Sequence, residues 1–509
     1  MSEKARVLLL NPPTAAVSTE VLLNLAYLAA SLRKAGSEVK IIDATAPYNA
    51  VKAEGIKRAV NDFKPHFIGV TLTITYIPQT YAYLEGLRKM GIPIVAGGPH
   101  ANCMPEEVLE HGSDIIVIGE GEETVVELVE HFKGNKPLRD IQGLCFKDAE
   151  GKPVYTARRN LIKNLDSIPF PDFSDFPIKN YTGSEDVDSN PIFWSLFTSR
   201  GCPFDCIFCS SHNVFGRTVR MRSAHNIFEE VMGLAGNFGV KRIAFQDDEI
   251  LCSKKRFLEF CDLMIGSGLK IKMSMRTRID SIDEEILSKA KRAGLTRISY
   301  GIESWNDDTL RKINKRYTVK TIHEKLKAIE KHRPFTSFNN ICGFPWETRE
   351  HLRKNLREIA KISKTIPYFT TFVTPIPYPK TRLYDLYHEK FGFTGWWLDE
   401  KKNSRRDEAG EKPFFMHFMN TMSAVYNDDI YWNYTKSRTK WIRWLGWRIF
   451  GLFARRHARL HEYLFIMLLC RISYFLWKIS PATELKIFGC LPKPKIKELK
   501  NRFTFTTKS

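Results

Sequence analysis

Three cysteines lie close together in the middle of the chain and have the spacing to bind one iron–sulfur cluster. Cys202, Cys206 and Cys209 are separated by three and then two residues, so a single short loop can supply all three thiolates. Protein-bound [4Fe–4S] clusters are normally held by four cysteines. Because no fourth ligand is apparent, one iron would stay open to a substrate or cosubstrate. An open iron makes a cluster suitable for catalysis rather than for electron transfer alone.

A zinc site is the alternative interpretation of these cysteines. Zinc sites usually repeat a pair of Cys or His ligands elsewhere in the chain, and we find no such pair. The other cysteines among the ten are scattered singly, which is typical of buried reduced thiols. The first residues, Ser2 to Arg6, run into a strand-like segment without the pattern of a secretory leader. We therefore expect a reducing, cytoplasmic location.

The cysteine spacing, with the aromatic Phe208 directly before the last cysteine, resembles the signature of the radical S-adenosylmethionine (SAM) superfamily. The resemblance implies that SAM chelates the open iron through its amino and carboxylate groups. One electron from the cluster then cleaves SAM to methionine and a 5′-deoxyadenosyl radical. An external one-electron reductant of the flavodoxin or ferredoxin type is also implied.

Ahead of the cysteines, short apolar runs alternate with segments of helical spacing. The predicted strands are Arg6–Asn11, Val39–Ile42, Phe67–Leu72, Ile92–Ala96 and Ile115–Ile118. Such alternation predicts a doubly wound parallel sheet, an α/β fold of the Rossmann type. Sheets of this kind bind ligands at the carboxyl ends of their strands.

Polar and glycine-rich turns follow these predicted strands, and their order resembles the cobalamin-binding domain of one large radical SAM subfamily. The turns are Leu10-Asn11-Pro12-Pro13, Ala96-Gly97-Gly98-Pro99-His100-Ala101 and Ile118-Gly119-Glu120-Gly121-Glu122-Glu123-Thr124. Paired glycines let the backbone approach a large flat ligand closely. By this resemblance the candidate cobalamin-binding residues are Asn11, Thr71, Thr73, Gly97, Gly98, His100, Gly119 and Glu120.

One feature departs from other cobalamin proteins. Those that replace the lower axial ligand with a protein histidine carry Asp-x-His-x-x-Gly, and this chain has no such run. The resemblance therefore implies cobalamin held without a histidine ligand. His100 is expected to be a residue of the glycine turn rather than a ligand of cobalt.

A second series of strands and helices begins near residue 191 and fits the partial (β/α) barrel of the radical SAM superfamily. Its predicted strands are Phe193–Phe197, Arg242–Phe245, Ile271–Met275, Arg297–Gly301, Phe338–Cys342 and Phe369–Thr374. Barrel active sites lie at the carboxyl ends of the strands. By resemblance Asp247 lies near the SAM amino group, either Arg276 or Arg278 near its carboxylate, and Glu303 near its ribose hydroxyls. A carboxylate suits an ammonium or paired hydroxyls, and an arginine grips a carboxylate bidentately.

These patterns divide the chain into four parts. We expect a cobalamin-binding domain at 1–140, a connector at 141–190, a radical SAM core at 191–385 and a basic, aromatic helical extension at 386–509. The extension carries most of the net charge of +20, since residues 433–509 hold 17 Lys and Arg against 3 Glu.

Residues 432–477 interleave tryptophans and other large apolar residues with Lys and Arg. Their longest apolar run, Tyr463–Cys470, is far shorter than the ~20 residues that span a bilayer. Two interpretations stay open: an interfacial membrane anchor, which makes the protein peripheral on the inner face of the membrane, or a helical cap on the barrel. Nucleic-acid binding is disfavoured because the aromatics fall at helical spacing rather than on a stacking sheet.

The function predicted from these features is methylation of an unactivated carbon of a hydrophobic substrate, such as a lipid, an isoprenoid or a tetrapyrrole-like molecule. The cofactors would be a [4Fe–4S] cluster, SAM and cobalamin. A first alternative is the same machinery closing a ring or forming a carbon–carbon bond. A second alternative, from another class, is a cobalamin- or cluster-sensing protein without turnover.

Overall fold

The structure is a computed structural model, and it describes most of the chain up to residue 399. The described residues are 4–14, 21–46, 53–176, 193–332, 334–362, 366, 368–373 and 375–399. The predicted basic segment 432–477 and the rest of the helical extension beyond 399 lie outside the described residues. The last part of the predicted connector, 177–190, also lies outside them.

The first sheet has seven strands within the described residues, in the order β2-β1-β3-β4-β5-β6-β7. They are β1 (Arg6–Asn11), β2 (Glu38–Asp43), β3 (Phe67–Thr71), β4 (Ile94–Gly97), β5 (Ile115–Val117), β6 (Leu144–Lys147) and β7 (Pro153–Tyr155). The first five run parallel to their neighbours. The chain moves to one side of β1 for β2 and to the other side for β3. This change of direction is the topological switch at which doubly wound sheets bind ligands.

Helices cover both faces of this sheet, so its central strands are apolar throughout. The helices are α1 (Leu23–Lys34), α2 (Ala53–Phe63), α3 (Ile77–Arg88), α4 (Pro99–Cys103), α5 (Pro105–Glu110) and α6 (Glu122–Phe132). The four residues from Val7 to Leu10 in β1 are all buried. A continuous apolar run is what a parallel strand buried on both faces requires.

Part of the predicted connector extends the first sheet. β6 pairs antiparallel with β5, and β7 pairs antiparallel with β6. β7 is the edge strand, and its short length limits the unpaired backbone that it presents. The sequence predicts that the first domain ends at residue 140. In the structure, residues 144–155 add two more strands to its sheet.

The second sheet is parallel, with six strands within the described residues in the order β15-β14-β13-β12-β11-β8. They are β8 (Phe193–Leu196), β11 (Arg242–Phe245), β12 (Lys272–Thr277), β13 (Leu295–Glu303), β14 (Phe335–Ile341) and β15 (Tyr368–Val373). Two further short strands, β9 (Ser199–Arg200) and β10 (Arg220–Met221), pair antiparallel and form a separate ribbon around the cysteine loop.

Helices alternate with the strands of the second sheet. They are α7 (Ser211–Phe215), α8 (Ala224–Phe238), α9 (Lys254–Ser267), α10 (Glu284–Arg292), α11 (Asp307–Lys312), α12 (Val319–His332), α13 (Arg349–Ile362) and α14 (Arg382–Tyr387). Several begin at side-chain caps that the sequence supplies: Ser223, Ser253 and Asp283 each accept a hydrogen bond from the backbone N–H three residues on. Such caps satisfy amides that the first turn leaves unpaired.

The predicted fold class is confirmed for the described residues: a parallel α/β sheet precedes a second parallel sheet with the strand order of a partial barrel. One apolar core includes residues of both sheets. Phe173, in the segment between the sheets, packs edge-on against Trp194 of β8 with ring centroids 4.6 Å apart. Within the described residues, no helix combines the length and the hydropathy needed to cross a bilayer.

Candidate active site

A cavity of about 640 Å³ lies between residues at the carboxyl ends of strands from both sheets. From the first sheet it is lined by Asn11, Thr71 and Gly97, which end β1, β3 and β4. From the second sheet it is lined by Ser195 within β8 and by Gln246 directly after β11. Ligand sites in proteins commonly have volumes of about 300–1,000 Å³. The cavity therefore has the position and the size that the fold predicts for a ligand site.

The predicted cobalamin-binding residues, with one exception, line this cavity. They are Asn11, Thr71, Thr73, Gly97, Gly98, Gly119 and Glu120. The exception is His100. Two of the predicted turns are tied together, because Asn102 accepts a hydrogen bond from the Gly119 N–H at 2.6 Å and donates to the Gly98 carbonyl at 3.0 Å.

Gly98 occupies a position that only glycine fits. Its φ is +94°, in the left-handed region, and a Cβ placed there would lie 2.9 Å from both the Leu72 carbonyl oxygen and the Thr71 hydroxyl. Gly119 has a φ of +89°, and a Cβ there would meet nothing within 4 Å. One glycine is thus required by the packing of its own turn, while the other leaves open space beside the cavity.

His100 is turned away from the cavity into a buried polar cluster. Its Nε2 lies 2.9 Å from the Tyr81 hydroxyl and 3.0 Å from a carboxylate oxygen of Glu107. The indole N–H of Trp397 donates to the same carboxylate at 2.9 Å. Side-chain hydrogen bonds from His100, Tyr81 and Trp397 hold the pKa of Glu107 below its usual value, although burial alone would raise it. His100 therefore joins the first sheet's helices to the segment after α14.

The cavity wall contributed by the first sheet suits a large flat ligand held by shape. Leu9, Val70, Val95 and Ala96 supply apolar surface between the polar turns. Among the described residues that line the cavity there is no histidine, cysteine or methionine. These residues fit cobalamin bound without a protein ligand to its lower face, as the resemblance implies.

The cysteine loop begins at the end of β9 and is held there by a glycine. Gly201 has a φ of +89°, and a Cβ at this position would lie 2.5 Å from the Thr218 carbonyl oxygen. Cys206 is buried, while Cys202 and Cys209 are partly exposed. The Cys209 N–H donates to the Cys206 carbonyl at 3.1 Å, so the last two cysteines share a tight turn.

The surroundings of Cys202 disfavour its thiolate form. Burial raises the pKa of Cys202 to about 11, and the charges of Asp248, Cys209 and Cys206 act in the same direction. Among the described residues, no three His, Cys, Asp or Glu side chains are arranged to hold a single metal ion. A four-iron cluster makes a different demand, because each of its thiolates binds a separate iron. The donor set, three clustered cysteine thiols, is the one that such clusters use.

Asp247 and Asp248 have different surroundings. The buried carboxylate of Asp247 accepts hydrogen bonds from the Thr198 hydroxyl at 2.7 Å and the Ser199 hydroxyl at 2.5 Å. Burial raises the pKa of Asp247, which these hydrogen bonds oppose. Asp248 lines the cavity and accepts a hydrogen bond from the Ser211 hydroxyl at 2.7 Å. The structure thus places the predicted Asp247 behind the cavity wall and its neighbour at the cavity.

Arg276 and Arg278, the two candidates for the SAM carboxylate, also differ. Arg278 is buried and donates two hydrogen bonds to Asp280, both at 2.9 Å, while its guanidinium lies 3.7 Å from the ring centroid of Phe204. Arg276 is exposed and donates to the side chain of Gln246, a residue of the cavity wall, at 2.8 Å. Arg278 stabilises the cysteine loop, and Arg276 is the one beside the cavity.

Phe208 lies within the cysteine loop, and Glu303 is the last residue of a strand of the second sheet. Glu303 ends β13 with a φ of +63° and accepts a hydrogen bond from the buried Lys315 at 2.9 Å. Phe208 is half-buried, and its ring centroid lies 6.1 Å from that of Phe344. Neither residue lines the cavity described above.

Glu120 binds two arginines of the ribbon that frames the cysteine loop. Arg200 donates to Glu120 at 2.8 Å and to Glu122 at 2.5 Å. Arg220 donates to both carboxylate oxygens of Glu120 at 2.7 Å. The carboxylate is buried, and its arginine partners hold its pKa below the usual value although burial alone would raise it. These hydrogen bonds therefore join a turn of the first sheet to the β9–β10 ribbon that frames the cysteine loop.

Three buried cations near the cysteine loop were not predicted from the sequence: Arg200, Arg220 and Lys315. For Arg200 a signal was available, since a charge directly before Gly201-Cys202 stands beside a predicted cluster. Arg220 and Lys315 give no local signal, because a lone cation in a polar loop resembles solvated surface. Arg220 is buried against Glu120, 100 residues earlier, and Lys315 against Glu303, 12 residues earlier.

Two family models match the chain. Residues 16–129 match the B12 binding domain, and residues 196–359 match the radical SAM superfamily. The chain is 32% identical over 390 residues to an uncharacterized methyltransferase of Pyrococcus horikoshii, which covers 75% of this chain and 82% of that protein. The chain belongs to the cobalamin-binding radical SAM family.

Other comparisons agree with this membership. The chain is 34% identical over 348 residues to the anaerobic magnesium-protoporphyrin IX monomethyl ester cyclase of Cereibacter sphaeroides, covering 65% of this chain and 55% of the cyclase. It shares its fold with the radical SAM methyltransferase TsrM of Kitasatospora setae, at a TM-score of 0.63, 18% identity and coverage of 77% and 79%.

Membership confirms two predictions made from the sequence. This cobalamin-binding radical SAM protein is an enzyme, and its cofactors are a [4Fe–4S] cluster, SAM and cobalamin. The interpretation as a sensor without turnover is not supported. The three-cysteine loop and the glycine turns fit these groups by the donor set and the open cradle described above.

Proposed function

We propose that the enzyme transfers a methyl group to an unactivated carbon of a hydrophobic substrate. The observation that carries the proposal is the single cavity lined both by the glycine turns and by Ser210, Ser211, Gln246 and Asp248 beside the cysteine loop. When bound, the cluster and SAM supply a carbon-centred radical, and cobalamin supplies a methyl group. A substrate in this cavity would lie between the glycine turns of the first sheet and the residues beside the cysteine loop.

The residues next to the cysteine loop divide the recognition of SAM among them. Asp248 and Gln246 line the cavity and suit the SAM ammonium, while Asp247 orients the turn that carries them. Arg276 suits the carboxylate, because Arg278 is occupied by Asp280. Glu303 is assigned to the ribose hydroxyls. Cys202, Cys206 and Cys209 ligate the cluster.

Two observations support a hydrophobic substrate: the apolar side chains that line the cavity, and the composition of the basic segment 432–477. Phe197, Val214 and Phe215 line the cavity on the second-sheet side and provide surface for an apolar skeleton. The basic, tryptophan-rich sequence at 432–477 suits contact with an anionic membrane surface, where lipids and tetrapyrroles are available. Flotation with anionic liposomes tests this contact: the full chain should float, and a chain with Trp441, Trp444 and Trp447 changed to Ala should stay in the dense fraction.

A ring-closing reaction is the second candidate, and the identity of 34% to the magnesium-protoporphyrin cyclase favours it. The mass of the product separates the two reactions. Methylation adds one CH₂ unit to the substrate, whereas oxidative ring closure removes two hydrogens. Extracts of cells with and without the gene, incubated anaerobically with the enzyme, SAM, cobalamin and a reduced flavodoxin, supply the comparison. A product lighter by two hydrogens would contradict methylation and support cyclisation.

A further inference from the structure

The cysteine loop reaches the surface at the residue directly before its central cysteine. Cys206 is buried, whereas the side chain of Asp205 is 20% exposed. The Asn314 side chain donates to the Asp205 carbonyl at 3.5 Å, and the Ile207 N–H donates to the Ile313 carbonyl at 3.2 Å. The loop is therefore packed on the segment after α11, and solvent comes within one residue of Cys206.

Two arginines from distant parts of the chain meet at the Asp205 carboxylate. Arg316 donates to one of its oxygens at 2.7 Å, and a guanidinium nitrogen of Arg217 lies 3.9 Å from the other. Both arginine side chains are largely exposed, Arg316 at 55% and Arg217 at 61%. A single carboxylate neutralises one of these two charges, so this part of the surface keeps a net positive charge.

Further charged residues follow where α14 begins. The Leu383 N–H donates to the Ile207 carbonyl at 2.9 Å, which places the start of α14 against the cysteine loop. Lys380 and Arg382, both exposed, lie within three residues of that contact, and the first turn of α14 also carries the exposed Asp385. Two cations against one carboxylate add to the positive charge around the loop.

The stability of the fold does not account for the two arginines at Asp205. Exposed ion pairs contribute little to stability, because both groups are well solvated when they are apart. Arg316 also has a φ of +61°, a left-handed conformation that costs energy for a residue with a Cβ. Exposed guanidinium groups are instead suited to binding carboxylates of another molecule, since they can do so bidentately.

The cluster needs a partner that reaches it from solvent, because it must receive one electron before SAM is cleaved. Electron transfer slows steeply as the distance between two centres grows, so the carrier has to dock where the cluster loop is close to the surface. Interfaces between electron-transfer partners are small and transient. Complementary charge raises the rate at which such partners meet in a productive orientation.

We propose that Arg217 and Arg316 form the docking surface for an acidic one-electron carrier, whose reduced form passes an electron to the cluster across the cysteine loop. The carrier is oxidised by one electron, the cluster is reduced by one electron, and no proton or chemical bond is transferred. The proposal rests on the assignment of Cys202, Cys206 and Cys209 as the cluster ligands. It applies equally to methylation and to ring closure.

Reduction by two different reductants tests this surface. The full chain with its reconstituted cluster is mixed anaerobically with an excess of reduced flavodoxin, a small acidic flavoprotein, and the flavin absorbance gives the rate constant. We expect Arg217→Glu and Arg316→Glu each to lower this constant at least about tenfold at low ionic strength. The loss should shrink as salt screens the charges. Reduction by dithionite needs no docked protein and should change by less than about threefold.

The affinity for oxidised flavodoxin gives a second measurement, which does not depend on the cluster. By isothermal titration calorimetry at low ionic strength, both variants should bind at least about tenfold more weakly than the wild-type chain. Arg217→Lys keeps the charge and should retain most of the affinity. Arg357→Glu is the matched control, because Arg357 is 63% exposed and pairs with Glu350 within α13. This control should bind like the wild-type chain.

Unchanged rate constants and affinities in Arg217→Glu and Arg316→Glu would overturn the proposal. An equal loss with dithionite, or an equal loss in Arg357→Glu, would also overturn it. If Arg316→Glu assembles no cluster, Arg217→Glu decides alone, since Arg217 is the more exposed and more distant partner of Asp205. A wild-type chain without a cluster would show that the ligand assignment is wrong. The affinities would then decide the docking surface, because wild-type affinity in Arg217→Glu contradicts it.

Discussion

The two sides of the candidate site, the cavity wall from the first sheet and the region of the cysteine loop, differ in the residues that could hold a ligand. The wall from the first sheet consists of apolar strand ends and glycine turns, and among its described residues there is no histidine, cysteine or methionine. The cluster side contains thiols together with buried charged groups, among them Asp247, Arg278 and the Glu303–Lys315 pair. A wall that works by shape should be sensitive to added atoms. A wall that works by charge should be sensitive to the loss of a charge or a ligand.

The largest effect is expected where a cluster ligand is removed. Cys206→Ala leaves two local thiolates, so the [4Fe–4S] cluster and the formation of 5′-deoxyadenosine from SAM should both be lost. Iron and sulfide analysis and anaerobic assays with dithionite measure the two losses. Cys261→Ala is the control, because Cys261 is also buried but lies in α9. Retention of 5′-deoxyadenosine formation by Cys206→Ala would show that the cluster assignment is wrong.

A smaller but substantial loss of stability is expected when Glu120, which joins the first sheet to the β9–β10 ribbon, loses its charge. Glu120→Gln leaves the buried Arg200 and Arg220 without their shared carboxylate, which should lower the free energy of unfolding by about 3 kcal/mol. The control is Glu123→Gln, since Glu123 has a side chain 57% exposed and pairs with Arg159 at the surface. An exposed pair is worth about 0–1 kcal/mol. Chemical denaturation compares the two variants, and equal losses would contradict the buried junction.

A methyl group added at Gly98 tests whether the glycine turns bind cobalamin through close packing. Gly98→Ala places a Cβ 2.9 Å from the Leu72 carbonyl and should weaken cobalamin binding about tenfold, or roughly 1.4 kcal/mol. Gly36→Ala imposes the same kind of strain, at a φ of +88°, but its Cβ meets nothing within 4 Å. Titration with hydroxocobalamin, followed by its visible absorption, measures both variants. If both lose affinity equally, backbone strain rather than close packing is responsible.

The smallest effect is expected at His100. His100→Gln can keep the hydrogen bonds to Tyr81 and Glu107, so cobalamin affinity should stay within about a factor of two, ~0.4 kcal/mol. The EPR spectrum of bound cob(II)alamin should also be unchanged. Loss of hyperfine structure from an axial nitrogen in the variant would identify His100 as a cobalt ligand after all.

Much of the fold could be predicted because buried parallel strands leave a plain pattern. The predicted bounds of Arg6–Asn11 and Arg242–Phe245 agree with β1 and β11. Continuous apolar runs between polar turns require no knowledge of distant residues. The β6–β7 hairpin was not predicted, since its short strands acquire their order only by pairing with the edge of a sheet that is already formed.

The candidate site could be predicted by position along the chain but not by side-chain direction. The turn after β11 was identified, yet which of Asp247 and Asp248 faces the cavity depends on hydroxyls from Thr198 and Ser199, about 50 residues earlier. Asp280 likewise makes the difference between Arg276 and Arg278, because it pairs with Arg278 and neutralises its charge. Such choices arise from tertiary contacts that neighbouring residues do not encode.

That both cofactors face one substrate cavity is tested most directly by their magnetic interaction. The enzyme is loaded with cob(II)alamin, its cluster is reduced to the paramagnetic state, and the EPR spectra of the two centres are compared with those of chains holding either centre alone. We expect each signal to be broadened by dipolar coupling to the other. Spectra that equal the sum of the two isolated centres would contradict a shared cavity.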